Sequence, residues 1–398
     1  MWERFDAGEI RADFAHIAAL GLDTVRFFLR WDLFAPQPDA VDTLMLERLE
    51  TVVNAAGDCG LQAMPVLLGG YLGGPARVPA WARDASDPQG VGNIYTGVPL
   101  EAQEYFARAA AQRLRGHPAL GAWDIGHRLS SMRRPSSVKV SAGEHSSAPA
   151  DEAVVAAWSR RLTAALQTFD ATPVTLGTHS DDLTADRNIR LGSLCAPLSF
   201  ASMQATSVEV AFARGRLDPE MLPFLALLTA AFSYKPVLIT GFGNPTCPPG
   251  TVSAFERFAL ANEPPTITIA PDDPVFAPYP CLTEDENAFV CTNMLERLHA
   301  DGRLGALWWS WSDAAPDGDA AVSPEREHQR SFGIVRSDGS ERPVAAALAA
   351  FAARRSEVVA PHDMPLIASA YYYRTLPTST STLYEAYLRF IAARRESS

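Results

Sequence analysis

Short apolar runs alternate with amphipathic segments along most of the chain, and this alternation predicts seven strands. In chain order the predicted strands are 24–29, 62–68, 119–125, 172–177, 200–204, 236–240 and 305–309. Segments with apolar residues at helical spacing predict the helices 8–20, 42–58, 100–115, 151–168, 283–300 and 343–354. Strands that alternate with helices at this spacing favour a parallel sheet with helical crossovers.

The repeated strand and helix units indicate the α/β class and a TIM-type (β/α)8-like barrel. Such a barrel has eight strands and opens with a strand, whereas this pattern gives seven strands and opens with the helix 8–20. We therefore predict a barrel that lacks the usual first strand. The sheet edges left unpaired would be covered in a homodimer, which we state as an expectation.

The chain divides into a barrel over residues 1–358 and a C-terminal tail over 359–398, with a helix predicted at 381–395. We expect the tail to pack on the barrel. Two long loops follow barrel strands: the Ser-, Ala- and Pro-rich stretch 135–150 and the Pro-rich stretch 243–281. Loops in these places usually shape the active face of a barrel. A low-complexity stretch such as 135–150 is more often plain surface.

The composition argues against several classes of protein. With 398 residues and 47% hydrophobic residues, the chain can bury a large core. The net charge is −12 and no basic stripe is present, which argues against a nucleic-acid partner. The apolar runs are far shorter than the ~20 residues of a membrane span. The N-terminus has neither a basic nor an apolar leader pattern, so we expect a cytoplasmic protein.

The chain has five cysteines, an odd number, and none of them form a CxxC motif. We expect reduced, mostly buried thiols rather than disulfides or metal ligands. The residues are Cys59, Cys195, Cys247, Cys281 and Cys291. Histidines at the spacing HxH or HExxH are absent as well, so neither a metal nor a cofactor is expected.

Four segments, TVRFFLRWDLF, HPALGAWDIG, KPVLITGFGNPT and LWWSWSD, occur in an order that resembles the cellulase-like glycoside hydrolases of the family 5 type. The resemblance spans roughly Met1 to Ala353 and implies a (β/α)8 barrel. It also implies two glutamates, an acid/base after the fourth strand and a nucleophile after the seventh. Such a pair performs retaining hydrolysis of a glycosidic bond.

The chain departs from that family at both catalytic positions. The acid/base position holds Arg128 and the nucleophile position holds Gly241. Arginine stays protonated and glycine has no side chain, so neither can perform the family's step. Other pocket positions also differ from the family's pattern, at Tyr71 and Gln204. The resemblance therefore implies a glycosidase-like fold that is not a functional retaining glycosidase.

Three residues are the candidates for catalysis: Asp124, His127 and His179. Histidine titrates near neutral pH, and Asp181 and Asp182 follow His179 closely. The structural alternatives are a buried Asp124–Arg128 ion pair, hydrogen-bonded histidines and an aspartate at a helix start. The candidates for ligand binding are Arg26, Tyr71, Arg128, Gln204, Trp309, Trp311 and Asp313.

Three hypotheses remain open from the sequence. The first is a repurposed barrel enzyme that uses proton transfer on a small, anionic molecule. The second is a non-catalytic pseudo-glycosidase that binds carbohydrate through its tryptophans. The third is an engineered active-site variant or redesign of a glycosidase. The partner is thus a small molecule or a carbohydrate in every case, and whether the protein is an enzyme stays open.

Overall fold

A computed structural model of the protein describes the following residues: 1–69, 77–83, 93–128, 149–187, 189–252, 275–276, 279–314, 330–361 and 367–396. For 149–151, 252 and 275–276 it describes the backbone alone. The candidate ligand residue Tyr71 lies outside these ranges, as does the predicted loop at 135–150 apart from its last two residues. Much of the predicted loop at 243–281 lies outside them as well.

Seven parallel strands form the central sheet, and their order in the sheet follows the chain. Their bounds are Thr24–Phe28 (β1), Gln62–Leu68 (β2), Trp123–His127 (β3), Val174–His179 (β4), Ala201–Gln204 (β5), Val237–Phe242 (β6) and Ala306–Trp308 (β9). The predicted barrel strands are confirmed. The third begins at Trp123 instead of 119, because Leu120 makes only an isolated bridge to Ala63.

One helix precedes the first strand, and the others lie between the strands and after the last one. Their bounds are Ala7–Ala19 (α1), Trp31–Phe34 (α2), Thr43–Asp58 (α3), Gly97–Arg113 (α4), Pro149–Leu166 (α5), Asp181–Thr184 (α6), Leu191–Cys195 (α7), Met221–Ser233 (α8), Glu284–Ala300 (α9), Pro343–Ala352 (α10), Ser369–Arg374 (α11) and Thr378–Glu396 (α12), with a 3-10 turn at Ala80–Ala82. The sequence pattern misses α8, because this helix is apolar on nearly every side and shows no polar face.

The barrel is nearly closed, with β1 and β9 as the two edges of the described sheet. Each residue of β9 is partly exposed, whereas β3, β4 and β5 are buried at every position. Trp2 lies against the edge of β1, where its indole N–H donates to the Phe28 carbonyl oxygen at 2.6 Å. The prediction of a barrel without its usual first strand is confirmed, and the opening lies between β1 and β9.

A disulfide joins Cys247 to Cys281, so the expectation that all the cysteines are reduced thiols is wrong. The two cysteines are 34 positions apart in the sequence, and nothing in the sequence indicates that they pair. A backbone bridge between Thr246 and Leu282 brings the two cysteines side by side, with their Cα atoms 5.0 Å apart. A crosslink that closes a loop of this length stabilises the fold by about 2–4 kcal/mol.

The loop closed by this disulfide contains a second sheet. Its two parallel strands are Thr251–Val252 (β7) and Val275–Phe276 (β8). The disulfide and this sheet follow β6 directly. The long loop predicted after this strand is therefore anchored at both of its ends.

The C-terminal helices α11 and α12 pack on the barrel through buried tyrosines. The Tyr372 hydroxyl donates to the Leu183 carbonyl oxygen at 2.7 Å, and the Tyr384 hydroxyl donates to Asp218 Oδ2 at 2.5 Å. The helix expected at 381–395 is present as α12. Across the described ranges, no helix combines the length and the apolar character that a membrane span requires.

Candidate functional site

The carboxyl ends of the strands bring most of the candidate residues together. His179 of β4 is in register with Gln204 of β5, and Gln204 is in register with Gly241 of β6. Neighbours in register on parallel strands face the same side of the sheet. Trp309 directly follows β9 and lies 4.0 Å from where a β-carbon on Gly241 would be. These four positions lie together at the carboxyl ends of β4, β5, β6 and β9, and we call them the wall of the candidate site.

A buried ion pair joins Arg26 to Asp124, and Arg26 also lies beside His127. Arg26 Nε and Nη2 donate to Asp124 Oδ2 at 3.0 and 2.7 Å, and the Arg26 side chain is 3% exposed. Asp124 Oδ1 accepts the backbone N–H groups of Gly126 and Gly177, both at 3.0 Å. A β-carbon on Gly177 would lie 2.9 Å from Arg26 Nη2, so glycine makes room for the guanidinium.

Arg128 does not join this ion pair, so the alternative of a buried Asp124–Arg128 ion pair is wrong. β3 ends at His127 after a register shift, and Arg128 adopts a left-handed backbone with φ 54°. Its N–H donates to the Gly177 carbonyl oxygen at 3.1 Å. The side chain, 24% exposed, instead lies near Asp181, with 3.9 Å between Nη2 and Oδ2.

His127 is enclosed by aromatic rings and by Arg26. Its ring stacks on Trp309 at 5.3 Å between centroids, and Phe28 meets it edge-on at 4.9 Å. Arg26 Nη1 and Nη2 each lie 3.5 Å from His127 Nδ1. Because a guanidinium can only donate, Nδ1 holds the lone pair and Nε2 carries the hydrogen. Burial lowers the pKa of His127 well below its usual value, and the charges of Arg26 and Arg128 lower it further.

We predict that stability falls as the pH drops below about 6.5, with His127 contributing to the fall. The unfolded chain protonates His127 near pH 6.5, whereas the folded chain does so only at a much lower pH. The unfolded state therefore binds more protons between these two pKa values. Acid then favours unfolding, by at most about 1.4 kcal/mol per pH unit.

Melting temperatures measured from about pH 5 to 8 test this linkage. The slope against pH should flatten in His127→Gln and should stay unchanged in the control His117→Gln, whose ring bonds Asn54 near the surface. Equal slopes in wild type and His127→Gln would contradict the prediction.

His179 lies between two carboxylates, one of which the sequence analysis did not single out. The Asp181 N–H donates to His179 Nδ1 at 3.3 Å, and Asp181 Oδ2 lies 3.6 Å from the same atom. His179 Nε2 lies 4.0 Å from Glu209 Oε2. The contact with His179 lowers the pKa of Asp181 to about 2, and the charges of Arg187 and Arg128 add to this effect. Glu209 has no sequence signal beyond its place in a loop after a barrel strand.

Gln204 sits beside Gly241 at the centre of this wall. A β-carbon on Gly241 would lie 3.2 Å from Gln204 Oε1, so Gln204 takes up space next to the glycine. Three polar atoms on or next to these strands are buried without a hydrogen-bond partner among the described residues: Gln204 Nε2, Thr206 Oγ1 and Thr240 Oγ1. Orphaned polar atoms of this kind mark a place where a polar ligand or water would add hydrogen bonds.

The remaining candidates lie away from this wall. Trp311 packs edge-on against His16 of α1, with ring centroids 4.9 Å apart. Asp313 accepts two hydrogen bonds from Arg342, at 2.8 and 2.6 Å, and one from the Gly333 N–H. Trp308 packs on Phe242, with its indole N–H bonded to a backbone carbonyl. In the part of the chain described here, no group of three His, Cys, Asp or Glu side chains could hold a metal ion.

Comparison of the fold with solved structures gives several similar barrels. An exo-β-1,4-mannosidase from Opitutaceae bacterium strain TAV5 matches 89% of this chain at 23% identity and a TM-score of 0.68, and the match spans 57% of the mannosidase. A GH5_18 protein from Streptomyces cattleya, solved in complex with Manβ1-4GlcNAc, matches 98% of this chain at 19% identity and a TM-score of 0.75, over 88% of its own length.

A β-glucosidase structure is also similar, with 16% identity, a TM-score of 0.58 and 87% of this chain covered. This chain has a glycoside hydrolase fold. No protein-family model matches the sequence, and no curated protein matches it either. At these identities the likeness concerns the fold, so the chemistry of the pocket has to be argued from its own residues.

Proposed function

We propose that this protein binds a small anionic molecule at the carboxyl end of its barrel and acts on it by proton transfer, not by retaining glycoside hydrolysis. The observation that carries the proposal is Arg128. A guanidinium stands where the resemblance places a catalytic acid, on a backbone turned out of β3 by its positive φ. A non-glycine residue in this conformation is uncommon and tends to occur at functional sites.

The surroundings of Arg128 support an anionic ligand. Its guanidinium Nη2 lies 3.9 Å from Asp181 Oδ2. A ligand carboxylate or phosphate can bond a guanidinium through two parallel N–H groups. Further donors at the same end of the barrel are His127 Nε2–H, on β3, and Gln204 Nε2, on β5, which has no hydrogen-bond partner among the described residues. A pocket rich in donors suits an oxyanion.

The alternative, a carbohydrate-binding protein without catalysis, has less support from the pocket. Sugar rings stack on exposed aromatic faces. Here the His127 ring stacks on Trp309, and Phe28 meets Trp309 edge-on at 5.5 Å. Trp309 is therefore already engaged in ring contacts from two sides.

Calorimetric titration with pyruvate, lactate, glucuronate and inorganic phosphate, beside mannose and glucose, tests the proposal. We expect one of the anions to bind. Its affinity should fall about 10- to 100-fold in Arg128→Gln, because this substitution removes a charge-assisted hydrogen bond. The matched control is Arg214→Gln, since Arg214 is exposed and bonds Glu385. Neutral sugars that bind equally well to wild type and Arg128→Gln would support the carbohydrate-binding alternative and contradict ours.

A further inference from the structure

A guanidinium determines which nitrogen of the His127 ring carries the hydrogen. Arg26 Nη1 and Nη2 both lie 3.5 Å from His127 Nδ1, and both can only donate. The lone pair of the neutral ring therefore faces Arg26, and the N–H group at Nε2 points away from it. A proton added at Nδ1 would meet two donors and bring a second positive charge against the guanidinium. Arg26 thus favours one tautomer of His127 and opposes protonation of the ring.

Asp124 holds Arg26 in the orientation that this contact requires. Asp124 Oδ2 accepts Arg26 Nε at 3.0 Å and Nη2 at 2.7 Å, while Oδ1 accepts two backbone N–H groups. The side chains of Arg26 and Asp124 are 3% and 0% exposed. Because two hydrogen bonds to one carboxylate fix the plane of a guanidinium, Arg26 has little freedom to turn away from His127. The ion pair therefore fixes the donor that sets the tautomer.

This arrangement is the reverse of the one that makes a histidine a base. In a Ser-His-Asp triad, a carboxylate accepts the hydrogen of Nδ1, so Nε2 holds the lone pair and the protonated ring is stabilised. Here a guanidinium lies at Nδ1, so Nε2 can only donate. Burial lowers the pKa of His127, and the charges of Arg26, Arg128 and His179 act in the same direction. His127 is therefore suited to donate a hydrogen bond and unsuited to accept a proton.

Aromatic contacts fix the plane of the His127 ring. Trp309 stacks on it with 15° between the two planes, and Phe28 meets it edge-on. His127 is 4% exposed and is the last residue of β3, at the carboxyl end of the barrel. A ring held in this way has its N–H direction set before a ligand arrives. A preorganised N–H group stabilises negative charge on an oxygen placed next to it.

We infer that His127 is a fixed N–H donor to a carboxylate oxygen of the ligand, and that Arg26 is the positioning residue that keeps it in this form. The inference rests on the proposed function, because the ligand is the small anion of that proposal. It narrows the proposal in one respect. His127 takes no proton from the ligand or from solvent, so a carboxylate binds in its ionised form and binding takes up no proton.

Nitrogen NMR of protein labelled at histidine tests the positioning role without any ligand. Protonated and unprotonated ring nitrogens differ widely in chemical shift, and His127→Gln identifies the signals of this residue. We expect a hydrogen on Nε2 and none on Nδ1 from about pH 5.5 to 8. The double variant Arg26→Met with Asp124→Asn should lose this preference and protonate the ring at higher pH. The matched control, Arg30→Met with Asp32→Asn, removes a more exposed pair and should leave the signals unchanged.

The signals of wild type decide the first half of the inference even where the double variant does not fold. A hydrogen on Nδ1, or a protonated ring at neutral pH, would overturn the assignment of His127 as a fixed donor. Identical signals in wild type and in a folded Arg26 double variant would overturn the positioning role of Arg26. Melting temperatures show which variants are folded.

Calorimetric titration of lactate, pyruvate and glucuronate tests the contact with the ligand. In buffers of different ionisation enthalpy we expect no net proton uptake at about pH 6.5. His127→Phe keeps a ring against Trp309 but removes the N–H group. It should weaken binding about 10- to 100-fold, the loss of a hydrogen bond to a charged group. His127→Gln keeps an N–H donor and should lose less. Proton uptake that disappears in His127→Gln, or equal affinities in wild type and His127→Phe, contradicts the inference.

These measurements separate the inference from the proposed function. Binding that depends on Arg128 but not on His127 leaves the proposed function standing and overturns the inference. Binding that depends on both residues, without proton uptake, supports both. If no small anion binds, the proposed function fails, and the assignment of His127 to a ligand oxygen fails with it.

Discussion

Asp124→Ala is expected to lower the free energy of unfolding by about 3–5 kcal/mol, because it leaves a buried guanidinium without its carboxylate. Arg26 is 3% exposed and has Asp124 as its ion-pair partner. The same substitution removes the acceptor of two buried backbone N–H groups, those of Gly126 and Gly177. Each lost acceptor adds a desolvation cost of its own. Urea unfolding followed by tryptophan fluorescence measures the change.

The matched control is Asp58→Ala, which breaks an exposed ion pair with Arg11 and should cost no more than about 1 kcal/mol. A double variant, Arg26→Met with Asp124→Asn, keeps the test informative where Asp124→Ala does not fold. It removes both buried charges together, so it should be more stable than Asp124→Ala alone. Equal costs for Asp124→Ala and Asp58→Ala would contradict the role given to this pair.

The strands of the barrel could be predicted because each is a short, largely apolar run, and β3, β4 and β5 are buried at every position. Such runs differ clearly from the amphipathic helices between them. Local pattern also accounts for the start of α9, where Thr283 and Glu286 form a reciprocal cap. The sequence pattern did not predict α8, because this helix has no such local signal. A helix buried on nearly all sides lacks the polar face on which periodicity depends.

The pocket could be predicted only in part, because its geometry depends on contacts between residues far apart in the chain. The sequence allowed a buried Asp124–Arg128 ion pair, but a register shift and a positive φ at Arg128 place its side chain near Asp181. The partner of Asp124 is instead Arg26, from a strand 98 residues earlier. No spacing rule gives such pairs from one sequence.

Two further features arise from the same kind of distant contact. The disulfide depends on a backbone bridge that brings Cys247 next to Cys281 across a 34-residue separation. Glu209 reaches His179 because Asn244, from the loop after β6, fastens the loop after β5. In both cases the sequence shows the residues but not the neighbour that gives them a role. The residue types can be read from the sequence, whereas the residues that they contact are known only from the fold.

We expect this protein to hydrolyse no aryl glycoside above the buffer rate. We expect the same result for the double variant that combines Arg128→Glu with Gly241→Glu. Loss of the nucleophile and the acid costs a retaining enzyme many orders of magnitude in rate. Introducing carboxylates at these two positions does not by itself create the surroundings that glycoside hydrolysis needs. A β-carbon at position 241 would meet Gln204 Oε1 at 3.2 Å, and residue 128 leaves the strand with a positive φ.

A third substitution, Gln204→Ala, removes the side chain that a glutamate at position 241 would press against, and so isolates this steric effect. The double and triple variants are compared on aryl β-mannosides and β-glucosides, with melting temperatures to show that both are folded. We expect neither to turn over, because the ring of His127 still covers a face of Trp309 and the donors around Arg26 remain. Hydrolysis by the triple variant alone would show that Gln204 is the single obstacle. The protein would then retain a functional sugar-binding site once Gln204 is removed, and the proposal of an anionic ligand would be wrong.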